Sequence, residues 1–134
     1  MPWDAVRRAT VLIPSGPSDG PSKLHLHIVL TDPTTTTGEV LIVCVVSIPI
    51  DGVGYDASCT LFPSEHPFIV KHSYVAYRFA RIVSATTLED AVTKGQYIAK
   101  PMLEEKQFGF VVEGLLESPQ VAPKFLHFFR ATQN

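Results

Sequence analysis

The residue types best suited to acid and base chemistry in this chain are its histidines, of which it has five. His25 and His27 are two positions apart, and His66 and His72 lie close to Lys71. A neutral histidine can accept the proton of a ribose 2′-hydroxyl, and a protonated one can give a proton to a leaving 5′-oxygen, because the unperturbed imidazole pKa is about 6.5. The histidines therefore provide the groups that metal-free cleavage of RNA requires. The alternative is that His25 and His27 form an exposed strand face with no chemical role.

Positive charge is concentrated in one part of the sequence. The whole chain carries 11 Lys and Arg against 13 Asp and Glu, a formal net charge of −2, which excludes a generally polycationic nucleic-acid coat protein. Lys71, Arg78 and Arg81 nevertheless fall in a stretch with no acidic residue between Glu65 and Glu89. Such a stretch can neutralise a phosphate as negative charge builds up in a transition state. The alternative is that Arg78 and Arg81 point apart and never converge.

Aromatic residues alternate with the two arginines. In a regular strand, Tyr77, Phe79 and Arg81 share one face, whereas Tyr74 lies with Arg78 on the other. Aromatic and arginine side chains on one face can stack single-stranded bases. Packing of one of these rows into the core is the alternative interpretation.

Two other chemistries can be written with the same residues. Cys59, His66 and His72 could hold zinc, with help from His25 or His27, but the spacing lacks the closely paired ligands of specific zinc motifs. Cys59 could also act as a nucleophile beside His66. Both interpretations have weaker support than the histidine-based one.

Hydrophobic periodicity predicts the elements that must position these residues. Lys23 to Thr31 alternates like a strand with one buried face, and Glu39 to Ser47 is apolar on both faces, as in a central strand. Prolines and glycines in Pro14 to Ser22 predict a surface loop. The other predicted elements are strands at 10–13, 59–62, 73–83 and 96–99, a helix at 88–94 capped by Thr86 or Thr87, and helices at 101–117 and 123–130.

These elements predict an α+β protein that forms a single domain over residues 1–134. Consecutive strands joined by short turns favour antiparallel pairing, and we expect the sheet to form a small, partly closed β-barrel. The C-terminal helices should cover one face or end of that sheet.

The order of the strands and the residues at their ends resemble the PemK/MazF-like toxin superfamily. The likeness depends on the strand at Lys23 to Thr31, the apolar strand that ends at Ser47-Ile48-Pro49, and the strand at Tyr74 to Ile82. Ser47 stands where members of the superfamily have Ser or Thr. The resemblance covers roughly residues 10–83 and is one of pattern.

Two segments refine this resemblance. Lys23-Leu24-His25-Leu26 stands where the superfamily usually has Arg-Pro at the start of the second strand. The segment His66 to Arg78 looks like that of a group of small bacterial proteins with a similar His-Pro-Phe-Ile signature. The chain is therefore similar to the superfamily but differs from it at the position of the usual Arg of the second strand.

The resemblance implies an SH3-like or MazF-like barrel and metal-independent endoribonuclease activity on single-stranded RNA, without a cofactor. Under this hypothesis His25 is the base or phosphate contact, Ser47 donates a hydroxyl, and His66 supplies an acid. We further expect an antitoxin protein and a second copy of the chain as partners. The residues assigned to substrate binding are Lys71, His72, Tyr77, Arg78 and Arg81, and no residue is assigned to a metal.

A non-catalytic interaction protein is the second hypothesis. Such a protein would keep the toxin-like barrel and bind a partner or a strand through its proline-rich loop and basic segment. The replaced Arg at the second strand favours this hypothesis. The sequence thus leaves open whether the protein is an enzyme.

The cellular location of the protein is predicted from three features that the sequence lacks: a disulfide framework, a signal peptide and a membrane-spanning segment. Cys44 and Cys59 are too few for a disulfide framework. The residues up to Ile13 lack the apolar segment of a signal peptide. The longest apolar run, Val40 to Ile50, has 11 residues, about half of the roughly 20 that a membrane-spanning helix needs. We therefore expect a cytoplasmic protein without a membrane span.

Overall fold

The computed structural model describes residues 2–15 and 23–133, in which the chain forms six strands and three helices. Most of the predicted loop from Pro14 to Ser22 lies outside the described residues. The elements are β1 (Thr10–Ser15), β2 (Lys23–Val29), β3 (Glu39–Ser47), β4 (Thr60–Leu61), β5 (Ser73–Ser84), α1 (Ala85–Thr93), β6 (Ile98–Lys100), α2 (Glu105–Glu117) and α3 (Pro123–Ala131).

The strands form one antiparallel sheet in the order β4-β5-β3-β2-β1-β6. The predicted α+β class and antiparallel pairing are therefore confirmed. Among the described strands, β4 and β6 lie at the two edges, so the sheet is a half-barrel and not a closed barrel. No helix in the described ranges is long and apolar enough to cross a membrane.

The main core lies between one face of the sheet and helices α2 and α3. Apolar side chains from β2, β3 and β5 meet Phe108, Val111 and Leu115 of α2 and Phe125 and Phe129 of α3. All of these helix residues are buried. Burying a large apolar side chain stabilises a fold by about 1.5–3 kcal/mol, so this layer supplies much of the driving force for folding. The sheet residues of this core include Leu12, Leu26, Ile28, Leu41, Val43, Val45, Val75 and Tyr77.

The opposite face of the sheet is covered at one end only. Ala5, Ala9 and Leu88, from the N-terminal segment and α1, pack against the sheet residues Val40 and Ile42. This second layer explains why β3 is apolar on both faces. At the other end of the same face, the sheet forms the floor of a cavity.

An irregularity in β5 changes the predicted faces of this strand. Ile42 of β3 pairs with Arg81, but Cys44 pairs with Ala76, so two steps along β3 correspond to five along β5. The extra residues of this bulge shift the alternation, and Tyr77 and Ala80 both join the main core. The prediction that Tyr77 shares a face with Phe79 and Arg81 is therefore wrong, because it assumed a regular strand.

Two helix predictions are refined by local contacts. Helix α1 begins at Ala85, because Ser84 is its N-cap and accepts a hydrogen bond from the Thr87 N–H at 3.4 Å. Helix α2 continues through Gly114, a position at which no larger residue would fit. A Cβ at this position would collide with the Tyr77 hydroxyl and lie 2.8 Å from the Cys59 Cβ.

Candidate functional site

A first cavity, which we call the Lys71 cavity, brings together three residues singled out in the sequence. It has a volume of about 500 Å³. His25 comes from β2, Ser47 is the last residue of β3, and Lys71 precedes β5. Ser47 pairs with Ser73 of β5, which fixes it at the end of the sheet next to the loop that carries Lys71. The remaining lining residues are Leu24, Leu26, Val45, Val46, Pro67, Phe68, Ile69, Val70 and Ser73.

A second cavity, the Arg81 cavity, lies beside the first and shares His25 and Val46 with it. Its volume is about 670 Å³. Arg78 and Arg81 reach it because the bulge in β5 brings both arginines to the same cavity. Its other lining residues are Ile13, Pro14, His27, Cys44, Tyr74, Phe79, Ala80 and Tyr97.

The charge of these two cavities is of one sign. Lys71, Arg78 and Arg81 line them, and none of the described residues that line them is Asp or Glu, which is the sense in which we call them acid-free. The acidic helix α2 packs on the other face of the sheet, so the sheet separates its carboxylates from the arginines of the Arg81 cavity. Fixed positive charge without nearby carboxylates attracts anions, and phosphate above all. The local field therefore differs from the net charge of −2 of the whole chain.

His27 forms part of the floor of the Arg81 cavity in a neutral state. Its Nδ1 lies 2.9 Å from the carbonyl oxygen of His25, which can only accept, so Nδ1 carries the proton. Burial lowers the pKa of His27 to about 4, and the positive charge of Arg81 contributes to the decrease. At neutral pH its Nε2 is therefore a hydrogen-bond acceptor.

Cys44 lies next to His27, with which it pairs across β2 and β3. Burial raises the pKa of its thiol to about 11. Burial likewise raises the pKa of Cys59 to about 11. The reactive form of cysteine is the thiolate, so both side chains behave as neutral, poorly nucleophilic groups near neutral pH. This geometry gives no support to a nucleophilic Cys59.

His66 lies in a different cavity of about 690 Å³, which Glu65 and Glu104 also line. Its Nε2 is 2.8 Å from the carbonyl oxygen of Pro101 and 3.0 Å from Thr10 Oγ1, and its Nδ1 accepts a hydrogen bond from the Phe68 N–H at 3.1 Å.

These contacts use both ring nitrogens of His66. Burial lowers its pKa, which favours the neutral ring that this pattern requires. Neither His25 nor Ser47 lines the cavity of His66, although this cavity shares Pro67, Ile69 and Val70 with the Lys71 cavity. The contacts of His66 tie the loop before β5 to β1.

Two of the predicted binding residues line neither acid-free cavity. Tyr77 is fully buried on the helix side of the sheet, where its hydroxyl donates to the Val111 carbonyl oxygen at 2.6 Å. His72 is exposed and stacks on Phe62 with ring centroids 4.2 Å apart. The predicted stacking role of Tyr77 fails because the bulge in β5 turns its ring into the core.

The zinc interpretation finds no matching geometry. Within residues 2–15 and 23–133, no group of three or more His, Cys, Asp or Glu side chains is arranged to hold a metal ion. Cys59 lies in the main core, His66 is hydrogen-bonded to Pro101, and His72 stacks on Phe62. These three residues therefore do not form a ligand set.

Among the residues of the Arg81 cavity that the sequence did not assign to a site are His27, Cys44 and Tyr97. The alternation of β2 places His27 on the face of His25, which was a usable signal. The contributions of Cys44 and Tyr97 depend on long-range packing that local patterns do not report.

No protein-family model matches the chain, and no curated protein matches it. The resemblance to the PemK/MazF-like superfamily therefore stays a prediction from the strand pattern.

Proposed function

We propose that this protein is a metal-independent endoribonuclease of PemK/MazF-like type that acts on single-stranded RNA. The observation that carries the proposal is the Lys71 cavity, in which His25, Ser47 and Lys71 share one acid-free space. A base, a hydroxyl donor and a cation are the groups that transesterification at a phosphate requires.

Each residue of the cavity has a role in this reaction. His25 accepts the proton of the ribose 2′-hydroxyl while the 2′-oxygen attacks phosphorus. The bond from phosphorus to the 5′-oxygen breaks, and the Lys71 ammonium donates a proton to the leaving oxygen. Ser47 donates a hydrogen bond to a non-bridging phosphate oxygen. The products are a 2′,3′-cyclic phosphate and a free 5′-hydroxyl.

The placement of His66 changes the acid assigned from the sequence. Its ring nitrogens are occupied by Pro101, Thr10 and Phe68, and its cavity contains Glu65 and Glu104, which repel a phosphate. We therefore assign the proton donor to Lys71 and a supporting structural role to His66.

Non-catalytic binding of RNA is the second candidate function. It is favoured by Lys23-Leu24-His25-Leu26, which replaces the cation expected at this strand in the superfamily. The same cavities would then hold a strand without cutting it. An antitoxin partner and a homodimer, which the resemblance implies, belong to the same proposal, as does a cytoplasmic location.

Incubation of the purified protein with single-stranded RNA in EDTA tests the proposal. We expect cleavage by the unmodified protein, and a rate about 10²- to 10⁴-fold lower for His25→Ala, which is the usual contribution of a general base. The matched control is His127→Ala, because His127 is exposed on α3 and lines neither acid-free cavity. Intact RNA that nevertheless binds would favour the second candidate, and RNA that neither binds nor breaks would reject both.

A further inference from the structure

We propose that the Arg81 cavity is a nucleobase pocket, which holds the base of a nucleotide whose phosphate lies in the Lys71 cavity. The proposal rests on the function proposed above and adds a binding site to it. Its basis is the juxtaposition of aromatic walls, two arginines and an acceptor nitrogen in one cavity.

The size and walls of the cavity suit a planar base. Ligand pockets typically measure about 300–1,000 Å³, and this cavity measures about 670 Å³. Tyr74, Phe79 and Tyr97 line it. Tyr74 is buried and packs against Tyr55, so Phe79 and Tyr97 supply the accessible rings. Bases stack on aromatic side chains regardless of their sequence, so these two rings can hold any of the four RNA bases.

Phe79 is a large apolar side chain that is exposed to solvent. Half of its surface (50%) is accessible, because the bulge in β5 turns it away from the core. The Arg78 guanidinium lies 4.7 Å from the centroid of the Phe79 ring. An arginine stacked on an aromatic ring extends the flat surface and adds positive charge, and RNA-binding proteins use both groups to stack unpaired bases.

The floor of the cavity offers a hydrogen-bond acceptor. The Nδ1 of His27 is bonded to the carbonyl of His25, and within the described part of the chain no hydrogen bond engages its Nε2. Each RNA base carries at least one N–H donor that could reach such an acceptor. The Arg81 guanidinium supplies donors for a base carbonyl or ring nitrogen. The cavity can therefore bind the polar edge of a base as well as its face.

The position of the cavity connects it to the proposed reaction. His25 and Val46 belong to both cavities, so a phosphate beside His25 places the attached nucleoside at the boundary between them.

Binding of non-cleavable RNA with a missing base tests the pocket. The probes are 2′-O-methyl RNA pentamers in which one position at a time lacks its base. We expect one position at which the missing base weakens binding about five- to hundred-fold, the range that stacking of one base contributes. In Phe79→Ala that penalty should shrink to less than about threefold, whereas Phe110→Ala should keep it in full. Phe110 is the matched control, because it is 47% exposed on α2 and lies outside the cavity.

The outcomes separate this proposal from the nuclease proposal. The pocket is rejected if no position shows a penalty, or if the penalty is unchanged in Phe79→Ala while that variant is folded by circular dichroism. RNA cleavage with no base penalty would reject the pocket alone and keep the nuclease. A base penalty without any cleavage would support the pocket and reject the catalytic role.

Discussion

Acidification should destabilise this protein through the buried His27, and the size of the effect can be worked out. The pKa of His27 falls from an ordinary value of 6.5 to about 4 in the folded protein, mainly because of burial. Between these two values, the unfolded chain binds a proton that the folded chain does not bind. Stability from this group is therefore fully present above pH 6.5, and it decreases as the pH falls towards 4.

The linkage relation gives the magnitude. A shift of one pKa unit corresponds to about 1.4 kcal/mol, so His27 should cost the fold about 2 kcal/mol at pH 5 and about 3 kcal/mol at pH 4. The positive charge of Arg81 acts in the same direction as burial. His66, whose pKa is also lowered, adds a separate loss of the same sign.

Urea unfolding at pH 7 and pH 5, applied to the unmodified protein and to His27→Gln, isolates this contribution. Glutamine keeps a donor for the His25 carbonyl and does not titrate in this range. From pH 7 to pH 5, the free energy of unfolding should fall by about 2 kcal/mol less in His27→Gln than in the unmodified protein. His127→Gln, a change at an exposed histidine, should lose as much as the unmodified protein. Equal losses in the unmodified protein and His27→Gln would refute the reasoning.

Two further predictions concern packing and the assignment of His66. Gly114→Ala should lower the free energy of unfolding by about 1–3 kcal/mol, because its Cβ meets Tyr77 and Cys59, whereas Gly109→Ala should raise it slightly because no atom lies within 4 Å. Thermal unfolding of both variants checks this, and equal effects would contradict it. His66→Ala should cost about 1–3 kcal/mol of stability because the Phe68 N–H loses its acceptor, whereas the Pro101 carbonyl oxygen still accepts from the Thr10 hydroxyl at 2.7 Å. RNA cleavage by this variant, at a temperature where it is folded, should fall less than about tenfold. A loss of cleavage as large as in His25→Ala would show that His66 is catalytic.

The sequence predicts much of this fold because its local signals agree with each other. The strand Glu39–Ser47 was predicted with its observed bounds, since only a strand between two apolar layers is apolar on both faces. The bulge in β5 was missed because periodicity assumes a regular strand, and the residues at 77–80 give no local sign of it. Glycine has a low helix propensity, yet Gly114 is needed in α2 because a larger residue would collide with Tyr77, a packing partner that is distant in sequence.

The candidate site was predictable where its residues are positioned by the ends and faces of strands. His25, Ser47 and Lys71 lie in one cavity because the start of β2, the end of β3 and the start of β5 lie at the same end of the sheet. The surroundings of His66 were not predictable, because its hydrogen-bond partners, Thr10 and Pro101, are 56 and 35 positions away. Contacts of that range are set by tertiary packing, which a pattern of single residues does not contain.

The most direct test of the proposed function compares RNA with DNA of the same sequence. The central claim is that the 2′-oxygen attacks the phosphate after His25 removes its proton. Single-stranded RNA incubated with the protein in EDTA should therefore be cut to products with 2′,3′-cyclic phosphate and 5′-hydroxyl ends, and the DNA, which lacks the 2′-hydroxyl, should stay intact. Uncut RNA, or DNA cut at a similar rate, would contradict the account.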